Sequence, residues 1–213
     1  MSGTPTSIPE LAQRASSVAP ILARASTDQK DAALHAAADR LEADMTSLLE
    51  ANSEDVARGE AAEMAQGFLD RLRLDRDRIA GMASGLRQVA GLVDPVGLVT
   101  DRWTRPNGLE ITKVRVPLGV VAIIYENRPN VTSDAFGLCL KSGNVAFLRG
   151  SSAALSSNMA IASSIRTALV DVGLPADALV LVDDVSREAA VEFMQQRGHV
   201  DCLIPRGGPS LIR

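Results

Sequence analysis

The chain has 213 residues, 46% of them hydrophobic and 23% charged, with a formal net charge of −4. That is enough for one large domain, or a domain with an appendage, at roughly 100–200 residues per domain, and its balance excludes disorder over most of its length. Acidic and basic residues are interleaved without a Lys/Arg block, so no face can neutralise a nucleic-acid backbone. The opening "MSGTPTSIPELAQRASS" has no apolar signal core, and the apolar runs fall far short of the ~20 residues that cross a bilayer. The expectation is a cytoplasmic protein acting without membrane or nucleic acid.

The first half reads as helices. Thr27 and Asp28 offer an N-cap, after which Leu34, Ala37, Leu41, Met45, Leu48 and Leu49 recur at three- and four-residue steps. A second amphipathic helix begins near Asp75, with Ile79, Met82, Leu86, Val89 and Leu92 on one face and "DPVG" closing it. Both read as scaffolding. The period then changes: Pro106-Asn107-Gly108 supplies turn chemistry between "VTDRWTR" and "LEITKVRV", which predicts a hairpin over 99–117. An isolated hairpin is only marginally stable, so this one is either a solvated ribbon or an arm that pairs with something else.

From Gly119 onward strands and helices alternate. The order is "GVVAII", a helix over Ser133–Lys141 capped at Thr132 or Ser133, a Gly143-Asn144 turn and "VAFL". A long helix from Ala153 to Val172 follows, then "ALVLV", a helix begun by Ser186, and "VDCLI". Short apolar strands separated by helices imply right-handed crossovers and a parallel sheet covered on both faces, an α/β fold.

In such a sheet ligands bind beyond the carboxyl ends of the strands. Three ends stand out: "YENRPN", "RGSS" and "PRGGPS". Arg149 can pair bidentately with a phosphate or carboxylate, Gly150 permits close backbone approach, and Ser151 and Ser152 can donate hydrogen bonds or cap a helix. Arg206, Gly207 and Gly208 form either a phosphate-binding strand-to-helix turn or a plain turn, without the G-x-G-x-x-G or Walker pattern. Asn127 and Asn130 offer neutral amide donors to a developing oxyanion, and Arg128 an anion clamp; Pro129 ends the strand. Lys141 reads as a side chain snorkelling from a helix end. Cys139 and Cys202 lack the spacing of a zinc site or disulfide framework and read as buried thiols. His35 and His199 are isolated, so no metal is expected.

The stretch "VRVPLGVVAIIYENRPNVTSDAFGLCLKSGNVAFLRG" with "VDCLIPRGG" resembles the gamma-glutamyl phosphate reductase family of the aldehyde dehydrogenase superfamily. "RPNGLEITKVRVPLGV" and "LDRLRLDRDRIAGMASGLRQVAGLVDPVG" extend the resemblance over nearly the whole chain. It implies an aldehyde-dehydrogenase-like fold: N-terminal helices of the cofactor domain over 1–98, an oligomerisation hairpin over 99–117, and a Rossmann-like cofactor-binding region over 118–213. It further implies NADPH-dependent reduction of L-glutamate 5-phosphate to L-glutamate 5-semialdehyde with release of phosphate, in proline biosynthesis, by a homo-oligomer. Arg149 stands where the superfamily sets a basic residue against the adenosine ribose. Ser152 stands near a position that is acidic in many NAD-preferring relatives, so a 2′-phosphate is favoured. Gly207 and Gly208 fall in the pyrophosphate-proximal turn, and Asn127 matches the asparagine of the oxyanion hole. The family's nucleophilic cysteine belongs to a catalytic domain downstream of the glycine turn that has no counterpart in this sequence, and neither Cys139 nor Cys202 matches its motif. The chain alone is therefore expected to be inactive. The alternative is a non-enzymatic nucleotide-binding or assembly module of the same fold.

Overall fold

Ser26, rather than Thr27 or Asp28, caps the second helix in the computed structural model, which describes residues 6–206. Its hydroxyl accepts the Gln29 N–H at 3.2 Å while the Gln29 side chain accepts the Ser26 N–H at 3.0 Å, a reciprocal capping box at the head of α2 (Thr27–Ala43). The apolar period from Leu34 to Leu49 spans two helices, because the chain breaks at Asp44 before α3 (Met45–Ala61). Asp44 accepts from Arg40 Nε at 2.8 Å and from Ser164 Oγ at 2.7 Å. A helix not anticipated from the pattern, α1 (Ile8–Leu22), begins on a proline in its first turn and buries Ile8, Leu11, Ala12, Ala15 and Leu22. The short α4 (Gln66–Leu72) precedes α5 (Arg76–Ala90). Asp75 caps α5 through the Arg78 N–H at 2.7 Å. Ile79, Met82 and Leu86 are buried, whereas Leu92 lies beyond the helix end and is exposed.

The hairpin forms from β1 (Val99–Thr104) and β2 (Glu110–Val114), antiparallel, with Trp103 opposite Ile111. Gly108 at φ +84° takes the left-handed position that the turn requires. Val99, Trp103, Leu109, Val114 and Val116 are all exposed, so the ribbon does not share the core.

The sheet contains β3 (Val120–Ile124), β4 (Val145–Arg149), β5 (Leu179–Leu181) and β6 (Cys202–Pro205), all parallel, in the order β5-β4-β3-β6. The connecting helices are α6 (Asn130–Lys141), α7 (Leu155–Asp171) and α8 (Arg187–Met194). α6 and α7 pack against each other and against α2, while α1 packs on the sheet beside α8. Val120, Val145, Ala146, Phe147 and Leu148 are fully buried, and the Phe147 ring meets Phe193 of α8 at 4.5 Å between centroids. Strands buried on both faces explain the continuous apolar runs. From β3 the chain steps outward through β4 to β5, then α8 carries it back to lay β6 on the other side of β3. The order reverses there, which fixes the crevice between the carboxyl ends of β3 and β6.

Three expected details change here. Helix α6 starts at Asn130, not at Ser133, because Pro129 is already helical (φ −56°, ψ −34°) and Ser133 Oγ donates back to the Asn130 carbonyl at 2.8 Å. Lys141 does not snorkel: it is 3% exposed and donates to Asp31 Oδ1 at 2.5 Å and to the Ala90 carbonyl at 2.7 Å. The helix expected from Ala153 starts at Leu155, after a 3₁₀ turn over Ser152–Ala154.

Buried polar groups of α3 fasten it to α7. Asp55 is fully buried and accepts from the Ser157 N–H (2.7 Å), Ser157 Oγ (2.5 Å), the Ser156 N–H (3.2 Å) and Arg58. Asn52 donates to Ser157 Oγ at 2.9 Å and to the Leu72 carbonyl at 2.8 Å, and accepts the Leu74 N–H at 2.7 Å. Asp55 thus caps α7 from another helix, satisfying backbone donors that its own sequence leaves free.

Candidate active site

Tyr125 directly follows strand β3 and is 2% exposed. Its hydroxyl shares a hydrogen bond with Thr132 Oγ1 at 2.7 Å, and Thr132 Oγ1 donates to Asn158 Oδ1 at 3.1 Å. Burial raises the phenol pKa against the opposing Thr132 bond, so Tyr125 stays neutral and acts as a wall. Thr132 is an inward-facing helix residue rather than a cap.

Beyond that wall the chain turns out into the crevice. Asn127 Oδ1 accepts from Ser151 Oγ at 2.6 Å, which joins the end of β3 to the end of β4. The only partner of Asn127 Nδ2 among the described residues is the Met64 thioether, at 3.9 Å. Sulfur is a weak acceptor, so the amide is oriented through its oxygen while its donor end stays available. Ser151 was expected to face the cofactor; its hydroxyl is engaged with Asn127. Ser152 is exposed.

Arg149 is not a surface residue. It is 8% exposed, its Nη2 donates to the Ser186 carbonyl at 2.7 Å, and its Nε has no partner among the described residues. Burial lowers its pKa and nearby Asp184 opposes that; Asp184 itself, fixed by the Ser186 N–H at 2.8 Å, is held below the ordinary carboxylate range. Gly150 is required by packing: a Cβ there would run into the Asn158 amide and approach the Tyr125 ring. Arg206 lies exposed at the end of β6, and its N–H donates to the Ile124 carbonyl at 2.9 Å. Gly207 and Gly208 lie outside the described residues.

Arg128 and Asn130 line a pocket of about 600 Å³ between α4, α5 and the start of α6, and Arg149 is not part of its lining. Three further arginines line it, Arg71, Arg73 and Arg78, with Asp70 and Asp134. The sequence pattern does not single these five residues out as a site. The available signal was four arginines within residues 71–78 of "DRLRLDRDR". Arg78 is committed to Asp70 Oδ1 at 2.9 Å and to the Arg73 carbonyl at 2.6 Å, and Arg73 pairs with Glu60 at 3.2 Å. Arg71 has its guanidinium carbon 5.6 Å from the Phe68 ring centroid.

Neither cysteine suits nucleophilic attack. Burial, with Cys202 adding, pushes the Cys139 thiol up to about 12, and a thiol at that value is not a nucleophile. Cys202 pairs with Val121 near the amino end of β3, whereas the crevice lies beyond Ile124 and Pro205. Among the described residues no group of three or more His, Cys, Asp or Glu is arranged to hold a metal, and no helix is long and apolar enough to cross a membrane.

A parallel sheet whose strand order reverses beside a buried arginine at one strand end and an oriented amide at the next is an arrangement that can hold a nucleotide. The model of the aldehyde dehydrogenase family matches residues 2–210, and the chain belongs to that family. Among solved structures it is similar to gamma-glutamyl phosphate reductase from Thermotoga maritima, with 40% identity and a TM-score of 0.94 over 97% of this chain and 50% of that one. The Saccharomyces cerevisiae gamma-glutamyl phosphate reductase is 27% identical, with a TM-score of 0.87 over 97% of this chain and 53% of that one. A probable aldehyde dehydrogenase from Listeria monocytogenes, 18% identical with a TM-score of 0.74 over 96% and 42%, shares the fold. The chain spans about half the length of the two reductases. Family membership implies a nicotinamide cofactor, and the residues present fit one: the crevice lies at the reversal of strand order, and Arg149 keeps a buried N–H unpaired at its edge.

Proposed function

We propose that the chain is the cofactor-binding portion of an NADPH-dependent gamma-glutamyl phosphate reductase, which reduces L-glutamate 5-phosphate to L-glutamate 5-semialdehyde and releases phosphate. The observation that carries the reading is the oriented Asn127 amide at the switch point, fixed by Ser151 and open at its donor end, within a chain 40% identical to a solved reductase of that name. When bound, NADPH supplies the hydride. Arg149, through its unpaired Nε, and the backbone from Gly150 to Ser152 hold the adenosine end; Arg206, Gly207 and Gly208 hold the pyrophosphate. The Asn127 N–H donates to the substrate carbonyl as negative charge develops on it, a contribution that is strongest where water is excluded. Arg128 and Asn130 hold the substrate. The attacking thiolate is neither Cys139 nor Cys202, so the 213-residue chain binds without completing turnover.

The exposed apolar hairpin supports assembly with a second copy through β1 and β2, and it also keeps a purely assembling, nucleotide-binding module as the competing reading. Binding of NADPH and NADH to the purified chain tests the cofactor assignment. A guanidinium bond to phosphate contributes about 1.5–3 kcal/mol, so Arg149→Ala is expected to weaken NADPH roughly tenfold or more and NADH much less. Equal losses for the two cofactors would remove the 2′-phosphate role, and robust substrate turnover by the purified chain would contradict the claim of inactivity.

A further inference from the structure

The Met64 thioether is the only partner of the Asn127 amide donor among the described residues. Met64 stands in the turn after α3, where the backbone fixes its place: its N–H donates to the Gly59 carbonyl at 3.0 Å, and the Glu63 N–H donates to the Glu60 carbonyl at 3.0 Å. That pair of bonds closes a helix through a left-handed residue. Here the residue is Glu63, at φ +52°, the one non-glycine with positive φ among the described residues. Left-handed backbone is costly for a residue with a side chain, and the two hydrogen bonds stand against that cost. The turn presents a partly exposed Met64, with its sulfur 3.9 Å from Asn127 Nδ2. At that distance a thioether, being a weak acceptor, points the amide without saturating it. The same separation fits a stronger contact. An N–H···O bond of about 2.9 Å to an oxygen bonded to that sulfur, approached along a lone-pair direction, sets nitrogen and sulfur close to the observed 3.9 Å.

We propose that Met64 is an oxidation site that governs the Asn127 donor. Hydrogen peroxide is the co-reactant. A sulfur lone pair attacks one peroxide oxygen, the S–O bond forms as the O–O bond breaks, and the proton of the transferred hydroxyl passes to the departing hydroxide, which leaves as water. Sulfur is oxidised and the peroxide reduced, by two electrons. The methionine sulfoxide puts a polar oxygen where the thioether stood, and that oxygen takes the Asn127 N–H that faces it. With Ser151 already bonded to Oδ1, the amide is then tied at both ends and that N–H is withdrawn from any incoming oxygen. A methionine sulfoxide reductase reverses the change, two thiols giving a disulfide and water. Control of the donor follows from the turn alone; its effect on turnover rests on the reductase reading above.

Peroxide treatment of the purified 213-residue chain, followed by peptide mapping and NMR of the side-chain amides, tests the proposal. The expected result is an added oxygen on Met64 and on Met159, which is 39% exposed, while Met82, 3% exposed, stays unmodified. The Asn127 side-chain signals should move downfield, and their exchange with water should slow several-fold. A methionine sulfoxide reductase with dithiothreitol should return them to their starting positions. Met64→Leu should still be oxidised at Met159 and leave the Asn127 signals unmoved by peroxide. Met64→Gln, which carries a carbonyl oxygen, should reproduce the shift with no peroxide; wild type and Met64→Leu decide the matter if that substitution disturbs the turn. Peroxide that oxidises Met159 but spares Met64, a Met64 sulfoxide with the Asn127 signals unmoved, or the same shift in Met64→Leu would overturn the proposal. NADPH binding by the untreated chain reports separately on the reductase reading: its absence defeats that reading and leaves the Met64 result standing.

Discussion

The α3–α7 junction and the crevice at the end of β3 both bury polar side chains, and they treat them in opposite ways. At the junction Asp55 and Asn52 have each oxygen and the Asn52 amide matched by Ser156, Ser157, Leu72 or Leu74. At the crevice, among the described residues, Arg149 Nε and Asn158 Nδ2 have no partner and the Asn127 amide donor meets only a thioether. A saturated network fixes two helices together. An unsaturated one, a few residues from it in the fold, is costly unless something else completes it. The difference separates what holds the molecule from what the molecule can hold.

The contrast breaks most visibly at Asp55. Asp55→Ala leaves the Ser157 N–H and hydroxyl buried without an acceptor and strips the cap of α7, so a loss of about 3 kcal/mol in urea unfolding is expected. Gly150→Ala tests whether the crevice wall is as rigid as its packing implies: a methyl group pressed on Asn158 should cost about 1–3 kcal/mol, while Ser152→Ala, on the exposed turn, should be close to neutral.

Lowering the pH probes the ion pairs outside both regions. Desolvation would raise the Asp177 carboxyl, but Arg14 (2.7 Å) and Arg166 (3.0 Å) outweigh it. Asp94, bonded by buried Lys30 at 2.5 Å and by Thr27 at 2.7 Å, behaves alike. Both folded values lie below the unfolded ~3.9. Their stabilisation is therefore complete above about pH 5 and disappears as pH falls through the folded values. Urea midpoints measured down that limb should fall less steeply in Asp177→Asn. The smallest change in stability is expected at Ser151. Ser151→Ala should alter unfolding by under about 1 kcal/mol yet shift the Asn127 side-chain amide resonances and leave NADPH affinity unchanged. A fall in NADPH affinity would mean that the hydroxyl serves the cofactor after all.

Much of the sheet was legible because β3 and β4 are buried on both faces and show as unbroken apolar runs, and because Ser186 and Asp75 sit where helices must be capped. The start of α6 was not. Thr132 and Ser133 have the residue types of caps, but both are turned inward, one to Tyr125 and Asn158 and the other to the Asn130 carbonyl. Asn127, Arg128 and Asn130 could be singled out because polar side chains crowd one strand end. Arg71 and Asp134 could not, since a helical stripe of charges looks the same whether it faces water or a pocket. Asp55 was invisible for a different reason: its partners lie about a hundred residues further along the chain, and no local pattern reports such a contact.

The position of β6 gives the sheet an entropic cost as well as a shape. Asp201 accepts the Val120 N–H at 2.8 Å across 81 residues of sequence, and Gly119, at φ +123°, leaves room for that carboxylate where a side chain would collide with it. Pairing β6 with β3 closes a loop that contains β4 and β5, the longest among the strand pairings, and so carries the largest loop-closure cost of them. A dinucleotide laid across the carboxyl ends of β3 and β6 would hold together the two strands that the chain joins at greatest cost.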